Sequence, residues 1–273
     1  LLIDFRDDFS GVMARGWRRV LRPYYRYLER RIIRSAHRIS VTTEMLRKDL
    51  LARYGLPEEK IEVVYNIVPE PKGEPRGGHK VHKVEEGPLR IIYAGAMSRV
   101  QKPEVLLKAY HLLVKSSPEW TERLHVEFYG PESPYYKLAI KKYVLDGCTF
   151  GGFLPQDSVA QRVAVSDIGF FSLSDATYAY ATPTKLFDYI HAGVPIVASL
   201  PQGTSREIIE RHEIGLVVDA GDVHALAEGL KVMVAEESYA GFCLKKKKQL
   251  REEFKLEKQI EQWAAMLNVM NAE

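Results

Sequence analysis

Apolar positions along the chain fall into two kinds of repeat. Short β-branched or aromatic runs occur at Arg38 to Val41, Ile61 to Tyr65, Leu89 to Ala94, Leu124 to Tyr129, Thr149 to Phe150, Ile168 to Leu173, Pro195 to Leu200 and Leu216 to Val218. Between them lie longer stretches with helical spacing. Strands that are apolar on both faces and separated by helices predict a parallel sheet covered on both sides. Residues 69 to 88 contain four Pro and four Gly among mixed charges, the composition of a linker. The domain expectation is therefore the remainder of one α/β lobe over 1–68, a linker over 69–88, a doubly wound lobe over 89–254 and a closing helix over 255–273. The stretch Lys245 to Asn271 reads as one continuous helix, marked by Leu250, Phe254, Ile260, Trp263 and Leu267.

Composition adds class and compartment. A chain of 273 residues that is 46% hydrophobic and 27% charged builds a sizeable core, and its length suits two lobes. No run reaches the roughly 18 to 20 apolar residues that span a bilayer, and Leu1-Leu2-Ile3-Asp4 lacks the order of a signal peptide. The two cysteines lie far apart with no CxxC pair, and the eight histidines form no HExxH spacing. A cytoplasmic, metal-free protein is expected. The opening at Leu1, inside a strand-like run, suggests residues upstream.

Charge changes the picture at one place. The formal net charge is +3, but residues 15 to 38 hold nine Arg against one Glu, leaving the remainder at −5. Arg18, Arg22, Arg26, Arg30, Arg34 and Arg38 recur every four residues, a basic stripe on a helix over about 23 to 37. Tyr25, Leu28, Ile32, Ser35 and Ile39 follow the spacing of its inward face. With Trp17, Tyr24 and Tyr27 beside them, Arg22, Arg26, Arg30 and Arg34 form a candidate face for an acceptor or an anionic membrane surface. A solvated basic face accounts for the same pattern, as does a surface that covers further chain. Nucleic acid is not expected, because no recognition motif accompanies the stripe.

In a doubly wound sheet, ligands bind beyond the C-terminal strand ends, so the loops there are the candidate sites. The run Tyr93-Ala94-Gly95-Ala96-Met97-Ser98-Arg99 passes from strand to small-residue turn. Gly95 and Ser98 leave room for a ligand to approach the backbone, while Arg99 and Lys102 add positive charge. An ordinary turn with solvated cations is the alternative. In Thr182-Pro183-Thr184-Lys185-Leu186-Phe187-Asp188, Thr182 suits an N-cap and Pro183 a first helical position. Lys185 then lies in a first turn, where the helix dipole disfavours a cation by roughly 0.3 to 1 kcal/mol, and an exogenous anion would resolve that conflict. Asp188 is one turn further on the same face, placed for hydroxyls or, alternatively, as a surface partner of Lys185. Gly151-Gly152-Phe153-Leu154 ends a strand in a double glycine. It could offer a ring face to a planar base, or be a tight turn with Phe153 packed inward.

Together these segments resemble the retaining, nucleotide-sugar-dependent glycosyltransferases of family four, whose GT-B fold faces two Rossmann-like lobes. Asp4-Phe5-Arg6-Asp7 is similar to the family's DxRD segment, and Val64-Tyr65-Asn66 to the segment before its linker. Tyr93 to Gln101 and Pro183 to Ala198 resemble the two donor-site motifs of a cell-surface sugar transferase branch. The resemblance implies a complete C-terminal lobe and the C-terminal part of an N-terminal one. It places Arg99 and Lys185 on a donor diphosphate, Asp188 on the ribose, and Gly152, Phe153 and Leu154 beside the base, with Gly95, Ser98 and Thr184 lining the turns. It implies a UDP- or GDP-sugar donor, a glycan or polyprenyl-linked acceptor, and no metal. Two positions depart from the pattern. Asp188 stands where the family commonly has Glu, and Tyr180 where it has the first Glu of E-x7-E, with Asp175 and Tyr178 as nearby substitutes. A regulatory GT-B half that needs a partner chain, and a sugar-nucleotide epimerase, are the alternatives.

Overall fold

A computed structural model describes residues 1–14, 16–67, 87–131, 133–134, 143, 146–235 and 238–272; most of the expected linker lies outside them. The first lobe carries a three-stranded parallel sheet of β1 (Leu2–Phe5), β2 (Arg38–Val41) and β3 (Ile61–Val63) in that order. Helices α1 (Phe9–Met13) and α2 (Arg22–Ser35) intervene between β1 and β2, and α3 (Glu44–Tyr54) between β2 and β3. Thr43 caps α3 by accepting from the Leu46 amide, and Gly55 ends it in the left-handed region at φ 62°.

The inward face of α2 differs from the spacing prediction. Ile33 and Ala36 are buried with Glu29, whereas Ile32 and Ser35 are exposed, and Ile39 belongs to β2. The buried stripe is rotated because Glu29 has partners on α3. Arg53 donates to its Oε2 at 3.2 Å and the Tyr54 hydroxyl at 2.5 Å. The arginines at 22, 26, 30 and 34 all face outward, as do Tyr24 and Tyr27.

The second lobe holds a six-stranded sheet in which the described strands all pair in parallel. Its strands are β4 (Leu89–Ala94), β5 (Leu124–Tyr129), β6 (Cys148–Gly152), β7 (Ile168–Ser172), β8 (Ile196–Leu200) and β9 (Gly215–Asp219), ordered β6-β5-β4-β7-β8-β9. The apolar runs predict all six within a residue or two. Helices α4 (Glu104–Ser116), α5 (Trp120–Arg123), α6 (Gln156–Ala164), α7 (Thr184–Ala192), α8 (Thr204–His212) and α9 (Val223–Ala235) follow them. One core cluster joins α4 and α9 to β4 and β5, and another joins α7 and α8 to β7 and β8. The order reverses between β4 and β7, which opens a crevice at their C-terminal ends.

The C-terminal stretch is two helices, α10 (Ser238–Glu253) and α11 (Leu256–Ala272), rather than one. The break falls at Phe254, whose ring packs on Phe187 and Tyr65 and whose carbonyl accepts from the His191 ring at 3.1 Å. Beyond it, α11 reaches the first lobe. Gln259 Nε2 donates to the Tyr65 carbonyl at 2.5 Å and Gln262 Nε2 to that of Val63 at 3.2 Å. No described helix is long and apolar enough to cross a membrane.

Candidate donor-binding site

The site is built on three adjoining strand ends. Past β4 the chain turns at Gly95, with φ 152°, and its amide donates to the Tyr129 carbonyl at 2.8 Å. Past β5 it turns at Gly130, with φ 138°, and the amide there donates to the Gly152 carbonyl at 2.8 Å. Both turns need glycine for space as well as for φ. A Cβ on Gly130 would lie 2.0 Å from the Gly95 carbonyl oxygen, and one on Gly95 2.7 Å from Lys185 Nζ. Lys185 comes from the far side of the crevice, in the first turn of α7. Residues nearly a hundred positions apart are thus brought together at the reversal point.

Lys185 is only 4% exposed. Its ammonium donates to Gln101 Oε1 and, at 3.3 Å, to the Tyr93 hydroxyl oxygen, and lies 4.4 Å from the centroid of the Tyr93 ring. The Tyr93 hydroxyl is in turn 2.6 Å from the Ala96 carbonyl and 2.7 Å from Gln101 Oε1. All these contacts are neutral. Burial lowers the Lys185 pKa to about 7, against a pull in the other direction from the Asp188 charge. Asp188 is half-buried one turn along α7, and burial raises its pKa to about 6 while Lys185 opposes the rise. The surface-pair alternative for Lys185 and Asp188 does not hold, since the lysine is buried and bonded to Gln101 and Tyr93.

The remaining predicted residues sit around this centre. The Ser98 carbonyl accepts from the Lys102 amide at 2.8 Å and its hydroxyl from the Gln101 amide at 3.4 Å, so Ser98 shapes the turn that presents Gln101. Arg99 and Thr184 are exposed on the turn and at the start of α7. Gly152, at φ 67°, ends β6 beside Gly130. Phe153 is 74% exposed, against the tight-turn alternative that packs it inward, while Leu154 packs on the core. Thr182 does not cap α7. Pro183 occupies the N-cap position, and the Thr182 hydroxyl is buried without a hydrogen-bond partner among the described residues. Gln101 and Tyr93 escaped the sequence reading as site residues. Gln101 and Tyr93 stood within a motif, but nothing local marks them as partners of a lysine beyond a strand crossover.

In the first lobe, Arg6 connects the two segments singled out there. Its guanidinium donates to Asp4 at 2.7 Å and to Asn66 Oδ1 at 3.1 Å, and Asp4 accepts from Ser40 at 2.7 Å. Tyr180, which stands where the family pattern has the first Glu of E-x7-E, packs on the first-lobe core, so its side chain is engaged with that lobe.

The chain matches the glycosyl transferases group 1 family over residues 78–256, which is more than half its length. It belongs to that family. A second match, to glycosyltransferase family 4, covers residues 8–70. An uncharacterized glycosyltransferase of Haemophilus influenzae is 22% identical over 194 residues, 69% of this chain and 51% of that protein. A D-inositol 3-phosphate glycosyltransferase of Nocardioides is 24% identical over 77% of this chain and 49% of its own. The chain therefore spans about half the length of the curated relatives it matches. Among solved structures, Anabaena HepE in complex with UDP has a TM-score of 0.75 at 15% identity, covering 98% of this chain and 72% of that one. Sucrose-phosphate synthase from Thermosynechococcus elongatus has a TM-score of 0.77 at 15% identity, covering 99% and 68%. These likenesses and the parallel sheets establish the GT-B fold, and within this glycosyltransferase family the crevice at Lys185 lies at the sheet's switch point.

Proposed function

We propose that this chain binds a nucleoside-diphosphate sugar at the Gly95–Lys185 crevice and takes part in transfer of its sugar, with retention, to a glycan or polyprenyl-linked acceptor in cell-surface polysaccharide or glycoconjugate synthesis on the cytoplasmic side. The sugar is a hexosyl or N-acetylhexosaminyl unit. The observation that carries this reading is Lys185: a desolvated ammonium in the first turn of a helix, facing neutral groups at the sheet's switch point. A diphosphate supplies direct counter-charge beyond the through-space pull of Asp188. HepE, which shares the fold at low identity, was crystallised with UDP, and that supports a uridine donor.

In this reading the bond from the anomeric carbon to the diphosphate oxygen breaks, its electron pair stays on the leaving diphosphate, and the acceptor hydroxyl oxygen bonds to the anomeric carbon as its proton passes to that diphosphate. Lys185 and Arg99 neutralise that charge, without a metal. Asp188 accepts from the ribose hydroxyls, and the exposed Phe153 ring with Gly152 and Leu154 flanks the base. Gly95 keeps the strand end open so that the phosphates reach Lys185. The test is calorimetry on Lys185→Ala and Arg99→Ala with UDP or GDP against uridine or guanosine. Each variant is expected to weaken the diphosphate at least tenfold and to leave the nucleoside within about twofold, since a charge-assisted hydrogen bond contributes roughly 1.5 to 3 kcal/mol. Equal losses for both ligands remove the phosphate assignment.

A further inference from the structure

Between β1 and β2 lies a surface that no described residue of either lobe covers. A 3-10 turn at Gly16–Leu21 leads directly into α2, and Trp17 and Val20 are 78% and 77% exposed there, with Leu21, Tyr24 and Tyr27 also exposed. Five large apolar side chains within eleven consecutive positions form an unusual concentration on a surface where such residues normally occur singly. Arg18 lies over the Trp17 ring at 5.7 Å and Arg31 over the Tyr27 ring at 6.0 Å, so guanidinium and ring are interleaved rather than segregated.

The fold also sorts the charge. Glu29, the one acid in 15 to 38, is fully buried against Arg53 and Tyr54. The basic side chains stay outside, with Arg22, Arg26, Arg30 and Arg34 all exposed. On the solvent side the segment is thus cationic throughout, with aromatic rings at its centre. Tyr25, Leu28 and Ile33 face inward, Tyr25 edge-on to Phe9 at 6.3 Å, so a folded helix holds the display in place.

We propose that this face docks on a bilayer rich in anionic phospholipid, Trp17, Tyr24 and Tyr27 lying at headgroup depth and the arginines on lipid phosphates. Charge complementarity selects this occupant. Each arginine near an anionic surface adds about 1 kcal/mol of attraction, Trp and Tyr favour the membrane–water boundary, and a short amphipathic segment binds there without crossing. A protein partner of ordinary composition would leave most of the seven exposed arginines between 18 and 34 unpaired. The surface lies on the first lobe, and this inference stands or falls independently of the donor-site reading.

The experiment is co-sedimentation of the purified chain with phosphatidylcholine vesicles, with and without phosphatidylglycerol, at low and high salt. Binding is expected only with phosphatidylglycerol, and is expected to fall at high salt because exposed charges are then screened. Changing Arg22, Arg26, Arg30 and Arg34 together to Gln should weaken it at least tenfold. Changing Trp17, Tyr24 and Tyr27 to Ser should weaken it as well and abolish the blue shift of tryptophan fluorescence that vesicles induce in the parent. Circular dichroism and urea denaturation check that both variants stay folded. Binding that ignores lipid charge or survives both sets of changes overturns the proposal. So does a dimer that Trp17→Ser dissociates, or tight retention on duplex DNA, when either occurs without vesicle binding.

Discussion

Two cations largely withdrawn from water, one in each lobe, show opposite solutions to the same problem. Arg53 sits among carboxylates: Asp8 at 2.9 Å, Glu29 at 3.2 Å and Asp49. Burial alone would lower its pKa, but the hydrogen bond and charge of Asp8, with Asp49 and Glu29, raise it well above the ordinary value. Lys185 has only neutral hydrogen-bond partners, and burial takes it down to about 7. The first arrangement is closed and needs nothing further. The second carries a desolvation cost that an anion would relieve, and that cost is what the proposed donor site rests on.

The sharpest way to break this comparison is to remove both cations in the same manner. Arg53→Met strands Glu29 and Asp8 as uncompensated buried charges, and a broken buried pair typically costs about 3 to 5 kcal/mol. Urea denaturation should show that loss, with UDP affinity preserved in whatever fraction remains folded. Lys185→Met removes a charge that burial opposes. Its urea midpoint should stay close to the parent's or rise, while UDP affinity falls. Similar destabilisation by both changes would mean that Lys185 is as structural as Arg53, and the contrast between the lobes would be gone.

What the sequence made legible divides along the same line. Strands came through clearly, because a run such as Ile168 to Ser172 is buried at every position and needs no context to be read. The first-turn position of Lys185 was also visible, and with it the electrostatic conflict. Its burial was not. It depends on the space left by Gly95 and on acceptors at 93 and 101, contacts that no local spacing encodes. Non-local pairing likewise rotated α2, where periodicity selected Ile32 and the fold selected Glu29 because Arg53 and Tyr54 wait on α3. The break at Phe254 has the same origin. No Gly or Pro announces it, and the backbone there is held by His191 and the rings of Phe187 and Tyr65.

Asp188 sharpens the comparison at the next level of effect, because it shares α7 with Lys185. If it holds the ribose, Asp188→Asn should weaken UDP by roughly 10- to 100-fold, the scale of one charge-assisted hydrogen bond, and should barely alter binding of 2′-deoxy and 3′-deoxy analogues that lack its partner. Parallel losses across ribonucleotide and deoxy series would instead make Asp188 a through-space partner of Lys185. The carboxylate would then play the part in this lobe that Asp8 plays for Arg53.

The smallest effect, and the most specific to a cation awaiting a ligand, is in proton linkage. An ordinary lysine titrates near 10.5 and Lys185 near 7, so between those values the unfolded chain holds a proton that the folded one does not. Stability should therefore rise with pH from about 7 to 10.5, with a slope of at most about 1.4 kcal/mol per pH unit, and the desolvation penalty is in full force below 7. Asp188 works in the other direction and in another window. Its folded value of about 6 exceeds the ordinary 3.8, so its contribution is present in acid and is lost as pH rises through 6. A diphosphate bound at Lys185 restores the ammonium. UDP binding at pH 8.5 should then take up close to one proton, read as the difference in binding heat between two buffers of unlike ionisation enthalpy. Lys185→Met should abolish both that uptake and the alkaline rise in stability, whereas Arg53→Met should leave the uptake intact. Zero uptake in the parent chain would show that the lysine is already protonated in the empty crevice, and the two cations would differ in their partners but not in their charge.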